Sequence, residues 1–300
     1  MDRTRNIRWA MVGSILCALL WPMTAAAQTT ELPRRAETAE TARGLSMGSG
    51  VRASAMSTSA VAYNPAALPF GRLYHLEGIV GYTAGEGRWT LGSTVVDSST
   101  NKLAAGLSMR GLIGDGEEGY SGLDGRVALG FPLGNSLALG VGGRYVSLTN
   151  EAQAPEGGEA TLARGFTVDA AIQLQPIESL RLAALGYNLV DVESALVPVL
   201  VGGSAALVLA DVFTLGADVL VDLSTFEEAQ ILTGGGVEYL AGGQVPLRAG
   251  YRYDRGRHLH SLTLGVGYVD QKVGVDLSFT RDVRGGDATE FLAAVRYFVN

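Results

Sequence analysis

Twelve charged side chains, Arg110, Arg126, Arg144, Asp169, Arg181, Asp218, Asp222, Glu238, Arg248, Arg252, Asp276 and Arg296, sit in runs where bulky apolar residues occupy every second position. In an extended chain that spacing puts the charges on one face and the apolar residues on the other. Both signs occur. Mixed charge in a confined interior forms paired networks that hold parts together, whereas a ring of one sign would select ions. The histidines offer less. His258 and His260 could combine with Asp254 and Ser261 as metal ligands or an acid/base pair, but two ligands at a strand end fall short of a site, and a solvated loop end accounts for them better. His75 stands alone in the sequence. There is no Ser/His/Asp or paired-carboxylate constellation, so neither an enzyme nor a metal or cofactor is expected. The runs Gly140-Val141-Gly142-Gly143 and Gly234-Gly235-Gly236 lack the lysine and the following helix of a nucleotide loop; they suit bends, or places where backbone packs on backbone.

The elements that carry these charges are strands. Val273, Val275, Leu277 and Phe279 interleave with Gly274, Asp276 and Ser278; Phe213, Leu215, Ala217, Val219 and Val221 with Gly216 and Asp218; Leu247, Ala249, Tyr251 and Tyr253 with Arg248 and Arg252. Turn signals predict fourteen strands, at 72–83, 88–97, 101–113, 123–131, 137–148, 163–174, 180–188, 198–209, 212–223, 230–240, 245–254, 259–269, 272–283 and 289–299. Most have the roughly 9 to 11 residues that a tilted membrane strand needs, not the five or six usual in soluble proteins. Connections after odd strands tend to be long, several of them acidic, as with Asp115, Glu117 and Glu118 or Glu151, Glu156 and Glu159. Those after even strands are short, as at Ala210-Asp211 and Asp270-Gln271. This is the asymmetry of external loops and periplasmic turns. Only a closed sheet leaves no unpaired backbone in hydrocarbon. A soluble sandwich would have to bury the charges unpaired. Trp89, Tyr239, Tyr251, Tyr253 and Tyr268 lie near strand ends, as in an interfacial girdle.

Arg3, Arg5 and Arg8 precede an apolar stretch and Ala25-Ala26-Ala27, the form of a secretory signal peptide over residues 1–27. The only cysteine, Cys17, lies inside it, so the exported chain has no thiol chemistry. The formal net charge of -7 becomes about -9 once three arginines and Asp2 leave with the signal, and no basic stripe invites nucleic acid.

Residues 28–71 do not alternate. They contain Ala42-Arg43-Gly44-Leu45-Ser46-Met47-Gly48 and then Tyr63-Asn64-Pro65-Ala66-Ala67-Leu68. This pair of motifs resembles the N-terminal hatch of the FadL-type outer-membrane transporters and their PorV/PorQ-type relatives. Gly186-Tyr187-Asn188-Leu189 followed by Pro198 resembles their middle strands. Two departures stand out: Ser57-Thr58-Ser59 occupies the place of an acidic residue usual between the hatch motifs, and the external loops are shorter than those of the fatty-acid transporters. The C-terminal strand ends on Asn300 where such barrels carry an aromatic residue.

The resemblance implies an all-β, 14-stranded antiparallel transmembrane β-barrel over 72–300 with an N-terminal plug (hatch) over 28–71, placed in the outer membrane by the barrel assembly machinery. It implies passive transport of hydrophobic compounds such as long-chain fatty acids. Met47, Gly48, Tyr63, Asn64, Pro65 and Ala66 would form the gating part, and Gly106 and Gly111 would mark a kink for lateral exit. The alternative is a PorV/PorQ-type accessory protein that binds secreted proteins at the cell surface. Apart from outer-membrane lipid, the expected partner is then a hydrophobic small molecule or a secreted protein.

Overall fold

The structure, a computed structural model, describes residues 41–114, 119–150 and 160–299. The signal segment, residues 28–40, the acidic loop residues named above and Asn300 lie outside the described residues.

Fourteen strands close into one antiparallel barrel. They are β1 (Tyr74–Ala84), β2 (Arg88–Asp97), β3 (Ala104–Gly114), β4 (Ser121–Pro132), β5 (Leu137–Asn150), β6 (Ala160–Ile177), β7 (Leu180–Tyr187), β8 (Leu200–Leu209), β9 (Phe213–Asp222), β10 (Gln230–Ala241), β11 (Val245–Asp254), β12 (Leu259–Val269), β13 (Val273–Arg284) and β14 (Thr289–Val299). Each pairs with its sequence neighbours, and β1 closes on β14 from Tyr74↔Val299 to Ala84↔Thr289. No open sheet edge is left to face hydrocarbon.

The alternation has its physical cause in this closure. Inward positions of β13 (Gly274, Asp276, Ser278, Thr280) are buried, while Val275 and Leu277 face outward and exposed. The same holds for Leu215 and Val219 on β9 and for Leu247 and Tyr251 on β11. Exposed Leu, Val, Ile and aromatic side chains cover the outside of nearly every strand, the surface a bilayer-spanning barrel requires. Tyr82–Trp89 pair at one end of the wall and Phe213–Tyr239 at the other, with ring centroids 4.8 and 4.6 Å apart.

The boundaries differ from the sequence expectation at identifiable places. β3 starts at Ala104 rather than 101, because Asp97 Oδ1 accepts the amides of Ser99 and Thr100 and holds a turn there. β6 runs over Ala160–Ile177, longer than 163–174, with Pro176 accommodated where the β6–β7 register shifts between Leu174 and Ile177. The longest connections, 151–159, 188–199 and 223–229, all follow odd strands.

Residues 41–71 lie within the ring of inward-facing side chains. They form helix α1 (Ala42–Ser46), helix α2 (Thr58–Tyr63) and a 3-10 turn (Pro65–Phe70). Thr41 caps α1 by accepting the Gly44 amide at 3.0 Å, and Pro65 opens the 3-10 turn, where its missing N–H costs nothing. This inner segment is itself buried: Leu45, Met47, Val51, Tyr63, Asn64 and Leu68 are fully enclosed.

Candidate functional site

Four groups of contacts seat the inner segment against the wall. The first is a chain of alternating charge. Arg43 of α1 donates through Nη2 and Nε to Glu238 at 3.0 and 3.1 Å. Arg248 donates to Glu238 and to Asp276, both at 2.5 Å, and Arg296 donates to Asp276 at 2.5 Å. Arg296 Nε lies 4.0 Å from Glu77, which accepts the Thr58 hydroxyl of α2 at 2.9 Å. The chain thus begins and ends on the inner segment, crossing strands β10, β11, β13, β14 and β1.

The second group centres on Arg52. Its guanidinium donates to Asp218 at 2.9 Å, to the Tyr187 hydroxyl at 3.0 Å and to the Ser49 carbonyl at 3.0 Å. It lies 5.3 and 5.4 Å from the ring centroids of Tyr63 and Tyr187, within cation–π range. Ser204 donates to Asp218 and accepts the Ala53 amide at 2.8 Å. Tyr187 donates to the Tyr63 carbonyl.

Asn64 forms the third. Its backbone is extended (φ -162°) ahead of Pro65, and its amide donates to Gln173 Oε1 at 2.7 Å and to the Arg52 carbonyl at 2.9 Å. Its Oδ1 accepts the Ala66 amide at 3.1 Å. Gln173 completes the bridge by donating to the Ala53 carbonyl at 2.9 Å. Asn64→Ala therefore leaves buried acceptors on Gln173 and Arg52 unsatisfied, and should destabilise the seated segment by about 1–3 kcal/mol. Thermal loss of the compact gel mobility of the folded barrel would read this out; a midpoint equal to the unaltered protein's would refute it.

In the fourth group Arg126 donates to the Ala62 carbonyl at 3.1 Å and, with Arg144, to Asp124. Arg144 also donates to Asn188 at 3.1 Å, and Asn188 donates its backbone amide to Asp169 and its side-chain amide to the Pro198 carbonyl, both at 2.8 Å.

Where charge is absent, close approach takes over. Gly48 has φ 59° and lies against the Tyr251 backbone, where a Cβ would overlap it; its amide donates to Thr263 at 3.0 Å. Gly236 and Gly250 face the Met47 backbone, and Gly140 faces Pro65 and Ala66.

This geometry has relatives among solved structures. The toluene transporter TbuX of Ralstonia pickettii superposes with TM-score 0.61 at 14% identity, over 86% of this chain and 97% of that one. A FadL homologue of Pseudomonas aeruginosa gives 0.61 at 13% over 89% and 99%. The toluene transporter TodX of P. putida gives 0.58 at 13% over 86% and 97%. The chain has the FadL-type fold. No family model and no curated protein matches its sequence.

Within this FadL-type barrel the twelve charged positions all project inward, but unequally. Arg110, Arg126, Arg144, Asp169, Asp218, Asp222, Arg248, Arg252 and Asp276 are buried, whereas Arg181, Glu238 and Arg296 are half-buried. Asp222 accepts the amides of Ser224 and Thr225 at the mouth, and Arg252 donates to Ser261, so these two belong to the rim rather than to the seat of the inner segment. One expectation needs correction, the kinked strand, while the rim histidines sit as a solvated loop end would place them. The ladders of β3 run without a register shift on both sides, so Gly106 and Gly111 mark no kink; Gly106 instead faces Val61. His260 points outward between Tyr251 and Tyr253, while Ser261 points inward and donates to Asp282, because adjacent strand residues take opposite faces. His258 sits in the turn at φ 53°, so the two histidines share no site. His75 meets the Ser57 hydroxyl and packs 4.3 Å from the Phe298 ring.

Sequence reasoning did not single out Arg43, Arg52, Glu77, Asp124 or Gln173. Glu77 and Asp124 could have been found by parity. The two arginines had a different signal, since cations in a segment destined for an interior demand carboxylates there.

Proposed function

We propose that this chain is an outer-membrane barrel that passes small hydrophobic compounds passively, with residues 41–71 as its movable hatch and Asn64-Pro65-Ala66 as the gating part. The observation that carries this reading is the way the segment is held. Polar contacts link it to the wall at Glu238, Asp218, Gln173 and Arg126, so it can leave as a unit when they exchange for water. Transport of toluene by proteins of the same fold supports the substrate class, and long-chain fatty acids are the larger members to test.

Two apolar clusters supply a path. Leu112, Val146 and Leu148 of the wall cluster with Leu196 and Val197 of the 188–199 connection. Leu185, Leu200 and Leu220 meet Ala53 and Ala66 of the inner segment. Regular ladder pairing of β6 with β7 stops beside the first cluster at Ala170↔Gly186; above it the wall is closed by the amides of Asn188, Leu189 and Val190, which donate to the Asp169 carboxylate, the Val168 carbonyl and the Thr167 hydroxyl. Exposed Phe166, Val168, Leu189 and Val190 line that seam, which serves as the lateral exit in place of β3.

A second reading, a PorV/PorQ-type accessory protein that holds a secreted protein, is favoured by the filled lumen and by exposed Leu189, Val190 and Leu223 on the external connections. Uptake of radiolabelled long-chain fatty acid and of toluene by expressing cells, beside a variant lacking residues 44–66, separates the two. Saturable uptake that requires the segment is the expected result. A correctly assembled, heat-modifiable barrel with neither binding nor uptake would exclude transport and favour the secreted partner.

A further inference from the structure

The outer wall is almost free of charge, which makes its exceptions informative. Among the described strand residues, the charged outward positions are Asp97 and Arg164, each away from the others, and Arg281 with Arg284 on β13. Arg281 faces Thr289 of β14 across the ladder and donates to its hydroxyl at 2.6 Å. The β12–β13 register shifts between His260 and Ser261, leaving Val283 as an extra residue, so exposed Arg284 lies opposite outward-facing His260, which packs on Tyr253 with ring centroids 4.5 Å apart and meets the Tyr251 hydroxyl. Among the described residues neither guanidinium has a carboxylate partner: Asp282 faces inward and accepts from Ser261 at 2.7 Å, Glu290 also faces inward, and Asp287 leans on Gly85 of the β1–β2 turn.

The height of this strip is fixed by strand geometry. With a rise of about 3.3 Å per residue and a tilt of about 40°, Arg281 stands about 20 Å above Val273, near the upper edge of an apolar band about 25 Å tall. A guanidinium there can keep its stem on hydrocarbon and its head among lipid headgroups. Below it Phe279 and Phe291 pair at 5.2 Å and Leu262 is exposed, a surface for acyl chains.

We propose that Arg281, Arg284 and His260 form a binding site for the phosphate of a phosphorylated, multiply acylated outer-leaflet glycolipid, the lipid A portion of lipopolysaccharide. Planar guanidinium forks fit phosphate oxygens, and the tyrosine hydroxyls add neutral donors beside them. The site rests on the outer-membrane reading above, with the odd connections external, which places the strip in the leaflet where this lipid resides rather than among phospholipids.

Native mass spectrometry of the full mature barrel with bis-phosphorylated hexa-acyl lipid A tests it. In the Arg281→Gln/Arg284→Gln variant, and with lipid A stripped of its phosphates, the retained fraction should correspond to about tenfold weaker binding. Arg164→Gln should bind as the unaltered protein does, and phosphatidylglycerol should bind more weakly than lipid A. Equal binding by the double variant, by the dephosphorylated lipid or by phosphatidylglycerol would overturn the proposal. Heat-modifiable migration checks folding, and Arg281→Lys, which keeps charge but not the fork, should give an intermediate loss. Uptake by the double variant is measured alongside. Retained uptake with lost lipid binding supports this site, whereas lost transport in the unaltered protein with normal lipid A binding tells against the transport reading alone.

Discussion

Asp218→Ala will unseat the inner segment more than any other single change in the wall. The carboxylate accepts from Arg52 Nη1 at 2.9 Å and from the Arg52 amide at 3.3 Å, and also takes the Ser204 hydroxyl. Arg52 is 7% exposed. Without Asp218 its guanidinium keeps the Tyr187 hydroxyl and the Ser49 carbonyl but loses its countercharge. Removing one member of a buried pair costs about 3–5 kcal/mol, because the remaining ion stays desolvated. Two consequences are measurable: a lower temperature for loss of the compact gel mobility, and a raised ion conductance in planar bilayers as the segment loosens. Asp218→Asn preserves shape and should fall between. The double variant Arg52→Met/Asp218→Leu removes both charges, so its cost should be well below that of Asp218→Ala. An Asp218→Ala barrel with unchanged melting and conductance would mean that this pair does not hold the segment.

How far such a site can be read from sequence depends on which physical constraint each residue answers. Leu215, Val219, Val275 and Leu277 answer to lipid, a constraint that acts at every second position, so their parity and the strand count were legible directly. The inward direction of Glu238 or Asp218 followed from the same parity. Their partners did not follow, because Arg43 is 195 residues from Glu238 and Arg52 is 166 from Asp218. Which wall charge meets which position of the inner segment is set by strand stagger and by the path of α1 and α2, neither of which is encoded in local spacing. Asn64 was legible as a polar anchor ahead of Pro65, while Gln173 looked like any other strand residue. Ser57 and Thr58 found their complement across the gap: Thr58 donates to Glu77 and Ser57 meets His75. The rim histidines form no site for a simple reason, since closeness in sequence on a strand means opposite faces for His260 and Ser261.

Gly236→Ala should act through volume rather than charge. Gly236 of β10 and Gly250 of β11 are cross-strand partners, both turned inward. The Met47–Gly48 backbone lies directly over them. A Cβ on Gly236 would sit 2.5 Å from the Met47 carbonyl oxygen and 2.7 Å from its Cα. Backbone cannot rotate out of the way as a side chain can, so the turn must lift. That strains the Gly48 amide bond to Thr263 and the Thr263 bond to the Ser46 carbonyl, each 3.0 Å, and draws Met47 from its buried cluster. Overpacking of this kind costs about 1–3 kcal/mol. Gly235→Ala, one residue away, is the matched control: its Cβ would point outward, 3.5 Å from its nearest neighbour, the Gly216 carbonyl oxygen, which is ordinary contact. Limited trypsin digestion reports the difference, because Arg43 and Arg52 are buried in the seated segment, 8% and 7% exposed. Cleavage at these arginines should rise about tenfold in Gly236→Ala and stay unchanged in Gly235→Ala. If both variants resist trypsin equally, the segment tolerates displacement at Met47, and its position rests on the charge contacts alone.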